Sequence, residues 1–269
     1  MLKPSHFQEW RSSAVDPEII NLNVSSLSGD AAFESLLYGL PNTARTNTGR
    51  LSNGYLQKYS HLEDGGWFCS GVDVLTGQPS RWGCFKPETP RIDLDGMTVK
   101  QLSELCLKQG INPYGWDKWQ LIRQLKAKGQ KSKAIKYETP PKVATEIFSL
   151  RVSYRIGLKI AEKQGLKDYY SERLGVNSLD SEDRDFWQWV LENPSIPLLI
   201  TEGAKKAGAL LTAGYAAIAL PGIFNGFRQD KDSWGNVIGL PYLIPQLLPF
   251  SEGGREVVFF LPKPIKNTG

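Results

Sequence analysis

Pro197-Leu198-Leu199-Ile200-Thr201-Glu202-Gly203-Ala204-Lys205-Lys206-Ala207-Gly208-Ala209-Leu210-Leu211 is the stretch on which the reading of the chain turns. It begins as an apolar run without polar alternation, the mark of a strand buried on both faces. The run breaks at Thr201-Glu202-Gly203, and beyond the break Ala204, Ala207, Leu210 and Leu211 recur at helical spacing. A buried strand therefore ends in a tight turn that opens a helix. Glu202 falls at the carboxyl end of that strand, where open α/β sheets place their ligands. A carboxylate there also lies near helix N-terminal amides, which favour negative charge. An ordinary βα turn with Glu202 as a solvated cap has the same pattern, so the turn alone names no chemistry.

Downstream, Gly214-Tyr215-Ala216-Ala217-Ile218-Ala219-Leu220-Pro221-Gly222 reads as a second buried strand ending in a turn. Strand, helix and strand at this spacing imply a parallel crossover. Arg255-Glu256-Val257-Val258-Phe259-Phe260 reads as a third strand, and Arg228 to Gly239 as a polar loop holding Asp230 and Asp232. The strands around Leu199, Ile218 and Val258 should then lie adjacent and parallel, with Glu202 at their carboxyl edge. Upstream, residues 154–194 read as helical, with Phe186, Trp187, Val190 and Leu191 on one apolar face and Asn193-Pro194 as the stop. The fold class is α+β with a C-terminal α/β part.

The chain has 269 residues, enough for one large domain or two small ones with a sizeable core. Hydrophobic residues at 41% and charged residues at 22% are those of a soluble globular protein. The formal net charge is only +4, so nucleic-acid binding has to be argued from a local cluster. No apolar run approaches transmembrane length and no signal peptide precedes the first polar residues, so a cytoplasmic protein without a membrane partner is expected. The three cysteines, Cys69, Cys84 and Cys106, are odd in number and lack paired spacing, which suits reduced thiols.

Residues 1–54 read as a helical segment. Asp16-Pro17 is a helix start, Asp30 a candidate cap for a second helix, and residues 39–54 a loop. Arg45 and Arg50 in that loop could meet phosphate, although loops are polar in any case. Residues 55–92 and 135–153 form a β-rich region. Within it, Gly65–Gly71 and Arg81–Pro87 are aromatic runs around a turn, the signature of a β-ribbon. His61, Cys69 and Cys84 invite a zinc site, but structural zinc takes four ligands, usually with close cysteine pairs, so no metal site is expected. The ribbon aromatics could stack nucleobases or cover a small core, and the core is the expected role.

Residues 93–134 are an insertion into the β-rich region. Thr98 is a helix cap, and Val99, Leu102, Leu105 and Cys106 form one stripe; Gly110 stops that helix, and Trp119, Leu121, Ile122 and Leu125 form a second stripe. Lys118, Arg123, Lys126, Lys128, Lys131 and Lys133 make a basic cluster able to neutralise several phosphates. The segment resembles a SAP motif, a helix–loop–helix module that binds DNA. The likeness lies in Met97-Thr98-Val99, Leu102, Leu105, Gly110, Gly115, Lys118, Leu121-Ile122 and Leu125, with bulky Trp116 and Trp119 as departures. A protein-docking hairpin with a solvated basic face is the alternative.

Residues 154–269 are the helical lead-in and the α/β domain. Ile200–Ala207, together with Leu220-Pro221-Gly222-Ile223-Phe224-Asn225-Gly226, resembles the first motif of the Toprim fold of primases and topoisomerases. A closer resemblance, covering most of the chain, is to Toprim-like replication proteins of cyanobacterial plasmids and other mobile elements. That resemblance implies an incomplete Toprim-like (Rossmann-like) parallel sheet, Glu202 as the vestigial general acid–base, and Lys205 and Lys206 as phosphate-binding candidates. In complete members the third strand runs into an Asp-x-Asp motif that holds magnesium. This chain reads Phe260-Leu261-Pro262-Lys263-Pro264 instead, with no carboxylate side chain after Glu256. Glu202 alone is a poor magnesium site, and Asp230 and Asp232 lie in a loop. The resemblance thus implies a truncated or degenerate member: a nucleic-acid-binding replication or mobile-element protein, without a cofactor, whose partners are DNA and other replication proteins. The alternatives are an active metal-dependent enzyme of primase, nuclease or topoisomerase type, and an inactive fragment of one.

Overall fold

A computed structural model describes residues 1–90, 94, 97–129, 134–174, 182–183 and 185–260. Helices α1 (Pro4–Arg11) and α2 (Pro17–Asn23) both open on proline, whose missing N–H is no loss in a first turn. The Asp16 carboxylate accepts the Glu18 N–H at 3.0 Å and caps α2. The chain then passes through strand β1 (Val24–Leu27), α3 (Asp30–Leu36) and α4 (Asn53–Tyr59). Asp30 occupies the first turn of α3 while Gly29 holds the cap position, so the side chain favours the helix dipole without capping it. Strands β2 (Gly66–Val72) and β3 (Pro79–Pro87) pair antiparallel, and β1 adds to the other edge of β2. The expected two-stranded ribbon is thus a three-stranded sheet, its third strand coming from a stretch read as helical. Its aromatics do serve as core: Trp67 and Trp82 enter the main apolar cluster, while Phe68 and Phe85 pack with Leu36, Tyr59 and Leu62 in a second.

The segment read as an insertion holds α5 (Val99–Lys108) and α6 (Lys118–Ala127). Each starts with a capping box, Thr98 with Gln101 and Asp117 with Gln120, which satisfies two otherwise orphaned N–H groups per helix. Leu94, Leu102, Cys106, Ile111, Leu121, Ile122 and Leu125 form a separate apolar cluster of their own. Two residues of the expected stripes leave it: Val99 is 47% exposed and Trp119 68%. Trp119 is one residue off the arc set by Leu121, Ile122 and Leu125, so helical rotation carries it to the outer face. The chain enters and leaves the insertion side by side. Phe85 and Glu138 exchange N–H to carbonyl hydrogen bonds in both directions at 2.8 Å.

A buried strap, Ile147 to Val152, follows and leads through β4 (Val152–Ser153) into α7 (Tyr154–Lys163). The next elements are α8 (Lys167–Leu174), β5 (Glu182–Asp183) and α9 (Phe186–Glu192). Strand β6 (Leu198–Glu202), helix α10 (Ala204–Thr212) and strand β7 (Ala217–Leu220) form the parallel crossover. The last elements are the hairpin β8 (Phe227–Lys231) and β9 (Val237–Leu243), and strand β10 (Val257–Phe259). The parallel sheet has the order β10-β6-β7, with Val258 beside Leu199 and Ile200 beside Ile218. The adjacency expected of these three strands is present, with Glu202 at the carboxyl edge. Arg255 closes the floor of this region, its guanidinium donating to the carbonyls of Val190 at 2.6 Å and Ile196 at 2.5 Å. Residues 228–239, expected as a loop, are instead most of a hairpin. Asp230 accepts the Tyr242 hydroxyl at 3.0 Å, and Asp232 accepts the N–H groups of Trp234 and Asn236 in the turn. Among the described residues, no helix is long and apolar enough to cross a membrane.

The strap ties the two sheets together. Phe148 and Ala219 of β7 exchange hydrogen bonds at 2.7 and 3.0 Å, and the Val72 N–H of β2 donates to Ser149 O at 2.8 Å. Gly71 permits this approach, since a Cβ there would stand 2.1 Å from Ser149 O. Gly71→Ala is therefore expected to destabilise the fold by about 1–3 kcal/mol, because backbone on both sides must part. Urea denaturation of the variant beside the parent chain measures it.

Candidate functional site

The carboxyl edge of the parallel sheet is set by how β6 stops. Gly203 takes φ +86°, a left-handed conformation that disfavours a side chain, and its N–H donates to Leu220 O at 2.9 Å. Glu202 is in register with Leu220, so β6 and β7 end level and the Pro221–Asn225 turn rises at the same edge. A cleft of about 710 Å³ opens there, within the range of small-molecule sites. Glu202, Lys205, Lys206 and Asn225 line it from the α/β part, Trp67 from β2, Phe148 from the chain bridged to β7, and Tyr137 from the segment before Glu138. Glu202 is exposed and is the one carboxylate among the described residues that line the cleft.

The two lysines after the turn divide. Lys206 is exposed on the cleft. Lys205 turns under the ribbon, where its ammonium bonds the Glu9 carboxylate and lies 5.4 Å from the Trp67 ring centre and 5.8 Å from that of Trp10. Lys86 donates to the same Glu9 oxygen at 2.8 Å, and the Trp67 indole N–H donates to the other at 3.0 Å. Burial pushes the Glu9 carboxyl up, but the hydrogen bonds from Lys205, Lys86 and Trp67 outweigh it and hold it at about 2. Both phosphate candidates line the cleft, and Lys205 in addition pairs with Glu9.

Sequence reasoning missed Glu9, Lys86 and Tyr137 as parts of this region. Glu9 meets Lys205 across 196 positions of chain, which no local spacing signals. Trp67 had a signal, an aromatic within a glycine-rich ribbon, but not one that told cleft wall from core.

The residues considered for zinc go elsewhere. His61 Nε2 lies 2.6 Å from Glu138 Oε1 in a buried pair, while Cys69 and Cys84 face each other across β2 and β3. Burial pushes both thiols up, Cys84 to about 12, so they stand protonated and unreactive at neutral pH. The described residues hold no group of three or more His, Cys, Asp or Glu side chains placed to share a metal ion. Among the described residues no second carboxylate lines the cleft beside Glu202, and Asp230 and Asp232 are engaged in the β8–β9 hairpin, a poor setting for magnesium.

The basic candidates lie on the insertion. Arg123 and Lys126 are exposed on α6, Lys118 is half-buried at its first turn, and Lys128 is exposed just past its end. Lys131 and Lys133 lie outside the described residues. Arg45 and Arg50 line a separate hollow with Asp30, Glu34 and Glu63, an acidic setting ill suited to phosphate.

The family described as Domain of unknown function (DUF3854) matches residues 186–267, a span holding Glu202, Lys205 and Lys206 but none of the aromatic wall of the cleft. An uncharacterized protein of Picosynechococcus sp. (strain ATCC 27264 / PCC 7002 / PR-6) is 42% identical over 269 residues, a region that takes in 97% of this chain and 22% of the relative. The chain therefore spans about a fifth of that relative's length. Both likenesses fit a cyanobacterial protein carrying a domain of unknown function. No solved structure matches the chain.

The low Glu9 value ties the site to pH. An acid held below its usual 4.5 adds stability that is full above that value and is lost as pH falls through about 2. Glu9→Gln is expected to lower stability at pH 7, and its deficit against the parent should shrink between pH 4.5 and pH 2. Urea denaturation across that range reads the effect.

Proposed function

We propose that this chain is a nucleic-acid-binding protein of the replication or mobile-element kind, whose Toprim-like α/β part is catalytically incomplete within residues 1–269. The observation that carries the reading is the outer face of α6. Trp119, Arg123 and Lys126 follow one another at steps of four and three residues, all exposed, with Lys128 beyond them. The apolar face opposite is used up in the insertion's own core, so the charge is turned outward. Cations in such a row neutralise phosphates, and an exposed indole among them adds a surface for groove or base contact. The SAP resemblance of the same helices points the same way.

The α/β part supports an inherited fold more than a working catalyst. Glu202 stands at the edge where Toprim-like proteins carry out phosphoryl chemistry, but without the further carboxylates that magnesium requires. The open cleft around Glu202 is the observation that favours the second reading, an active metal-dependent enzyme of primase, nuclease or topoisomerase type.

Double-stranded DNA should bind the chain weakly and with steep salt dependence. The combined Lys118→Ala, Arg123→Ala and Lys126→Ala variant should flatten the slope of log affinity against log salt by roughly one unit per lost phosphate contact. Fluorescence anisotropy at several salt concentrations reads this, and affinity indifferent to both salt and substitution sinks the proposal. For the α/β part, no magnesium-dependent primer synthesis or strand cleavage is expected, and Glu202→Ala should leave DNA affinity within about two-fold. Magnesium-dependent turnover abolished by Glu202→Ala restores the enzyme reading.

A further inference from the structure

The aromatic residues of the cleft lie outside the span matched to the domain of unknown function, and of them Tyr137 is left half-exposed while Trp67 and Phe148 belong to the core. Three rings form a row. Trp10 meets Trp67 edge to face with centres 5.2 Å apart, and Trp67 meets Tyr137 with centres 5.8 Å apart. The inner two are buried, whereas Tyr137 is 50% exposed and lines the cleft. An aromatic ring left half in water beside a cavity is unsatisfied apolar surface, yet this one is firmly backed. Trp67 is fixed through its indole N–H by Glu9, which is itself held by Lys86 and Lys205. Such rigidity lowers the entropy a ligand loses when it stacks.

We infer that Tyr137, backed by Trp67, is a stacking platform for a single unpaired nucleobase, whose phosphate is directed to the Lys206 side of the cleft. The chemistry of the cleft walls selects this ligand. The half-exposed Tyr137 ring, the exposed Lys206, the Asn225 amide and the Glu202 carboxylate line one cleft, whose volume of about 710 Å³ holds one nucleotide with room to spare. The path of the chain adds a reason. Tyr137 sits where the polypeptide returns from the α5–α6 insertion, one residue before the Phe85–Glu138 bridge, so a strand held on α6 and a base held in the cleft share one connecting segment. The ligand is either a free nucleotide or an unpaired nucleotide of a longer strand; the stacking chemistry is the same. The inference rests on the nucleic-acid reading above.

The test uses chain 1–269 with 5′-AMP by calorimetry, a single-stranded oligodeoxyadenylate by fluorescence anisotropy, and ribose 5-phosphate as the base-free competitor. At least one of the first two should bind, ribose 5-phosphate should compete poorly, and Tyr137→Ala should weaken binding at least about five-fold while Tyr137→Phe stays within about two-fold. Binding of 5′-AMP supports the platform with a free nucleotide as its ligand, and binding of the oligomer alone supports it with an unpaired base of a strand. The inference is overturned if neither probe binds, if ribose 5-phosphate competes as well as 5′-AMP, or if Tyr137→Ala binds like the parent. The Phe variant keeps the ring and so separates lost stacking from lost folding. Duplex binding by the Lys118, Arg123 and Lys126 triple variant reports separately on the α6 face: its indifference removes that reading while leaving the Tyr137 result standing.

Discussion

Backbone hydrogen bonding by the strap from Ile147 to Val152 is the constraint on which the arrangement of this protein depends. Ile147, Phe148, Ser149, Leu150 and Val152 are all buried, so each polar group of that backbone needs a partner inside the protein. The partners come from four directions. Phe148 bonds β7, Ser149 bonds β2, Leu150 O accepts the Trp187 indole N–H at 2.8 Å, and Arg151 exchanges bonds with the Asn23 side chain at the end of α2. An antiparallel sheet and a parallel sheet, each too small to bury both its faces, thereby share one apolar core. The cleft exists because the strap holds the aromatic ribbon opposite the ends of β6 and β7.

Electrostatics then decides which groups at the cleft are free to act. A carboxylate with two ammonium partners and an indole donor is well bonded, and the cluster keeps a net charge of +1. Lys205 is held by Glu9 at the edge of the cleft, while Lys206 and Glu202 are exposed. Glu202 is the one carboxylate among the described residues that line the cleft, and Lys205 and Lys206 line it with it.

Much of the C-terminal sheet was legible because its strands are continuous apolar runs and Gly203 marks the turn between β6 and α10. The capped starts of α2 and α5 were legible for the same reason: the signal is local. Three things were not. Strand β1 is four residues attached directly to α2, and nothing in Val-Ser-Ser-Leu announces a partner forty residues on. The β8–β9 hairpin has exposure along the whole of β9, so it lacks the inside–outside alternation that identifies a strand, and its turn aspartates read as loop. The site itself is assembled from residues that share no segment, Glu9, Trp67, Tyr137 and Lys205, whose proximity is a product of the strap. A periodicity argument sees faces of single elements and cannot see which faces meet.

The mutual hydrogen bonds of Phe85 and Glu138 have a genetic consequence. Everything between them begins and ends at one point on the surface of the sheet, and the helices within it are packed on each other. Loop closure costs little more for a long excursion than for a short one, about 0.6 kcal/mol for each doubling of length. Exchange of residues 97–129 alone would thus replace the helical pair while the β2–β3 register and the hydrogen bonds of the strap stay in place. The helical pair carries its own apolar core, so its sequence can change without repacking either sheet.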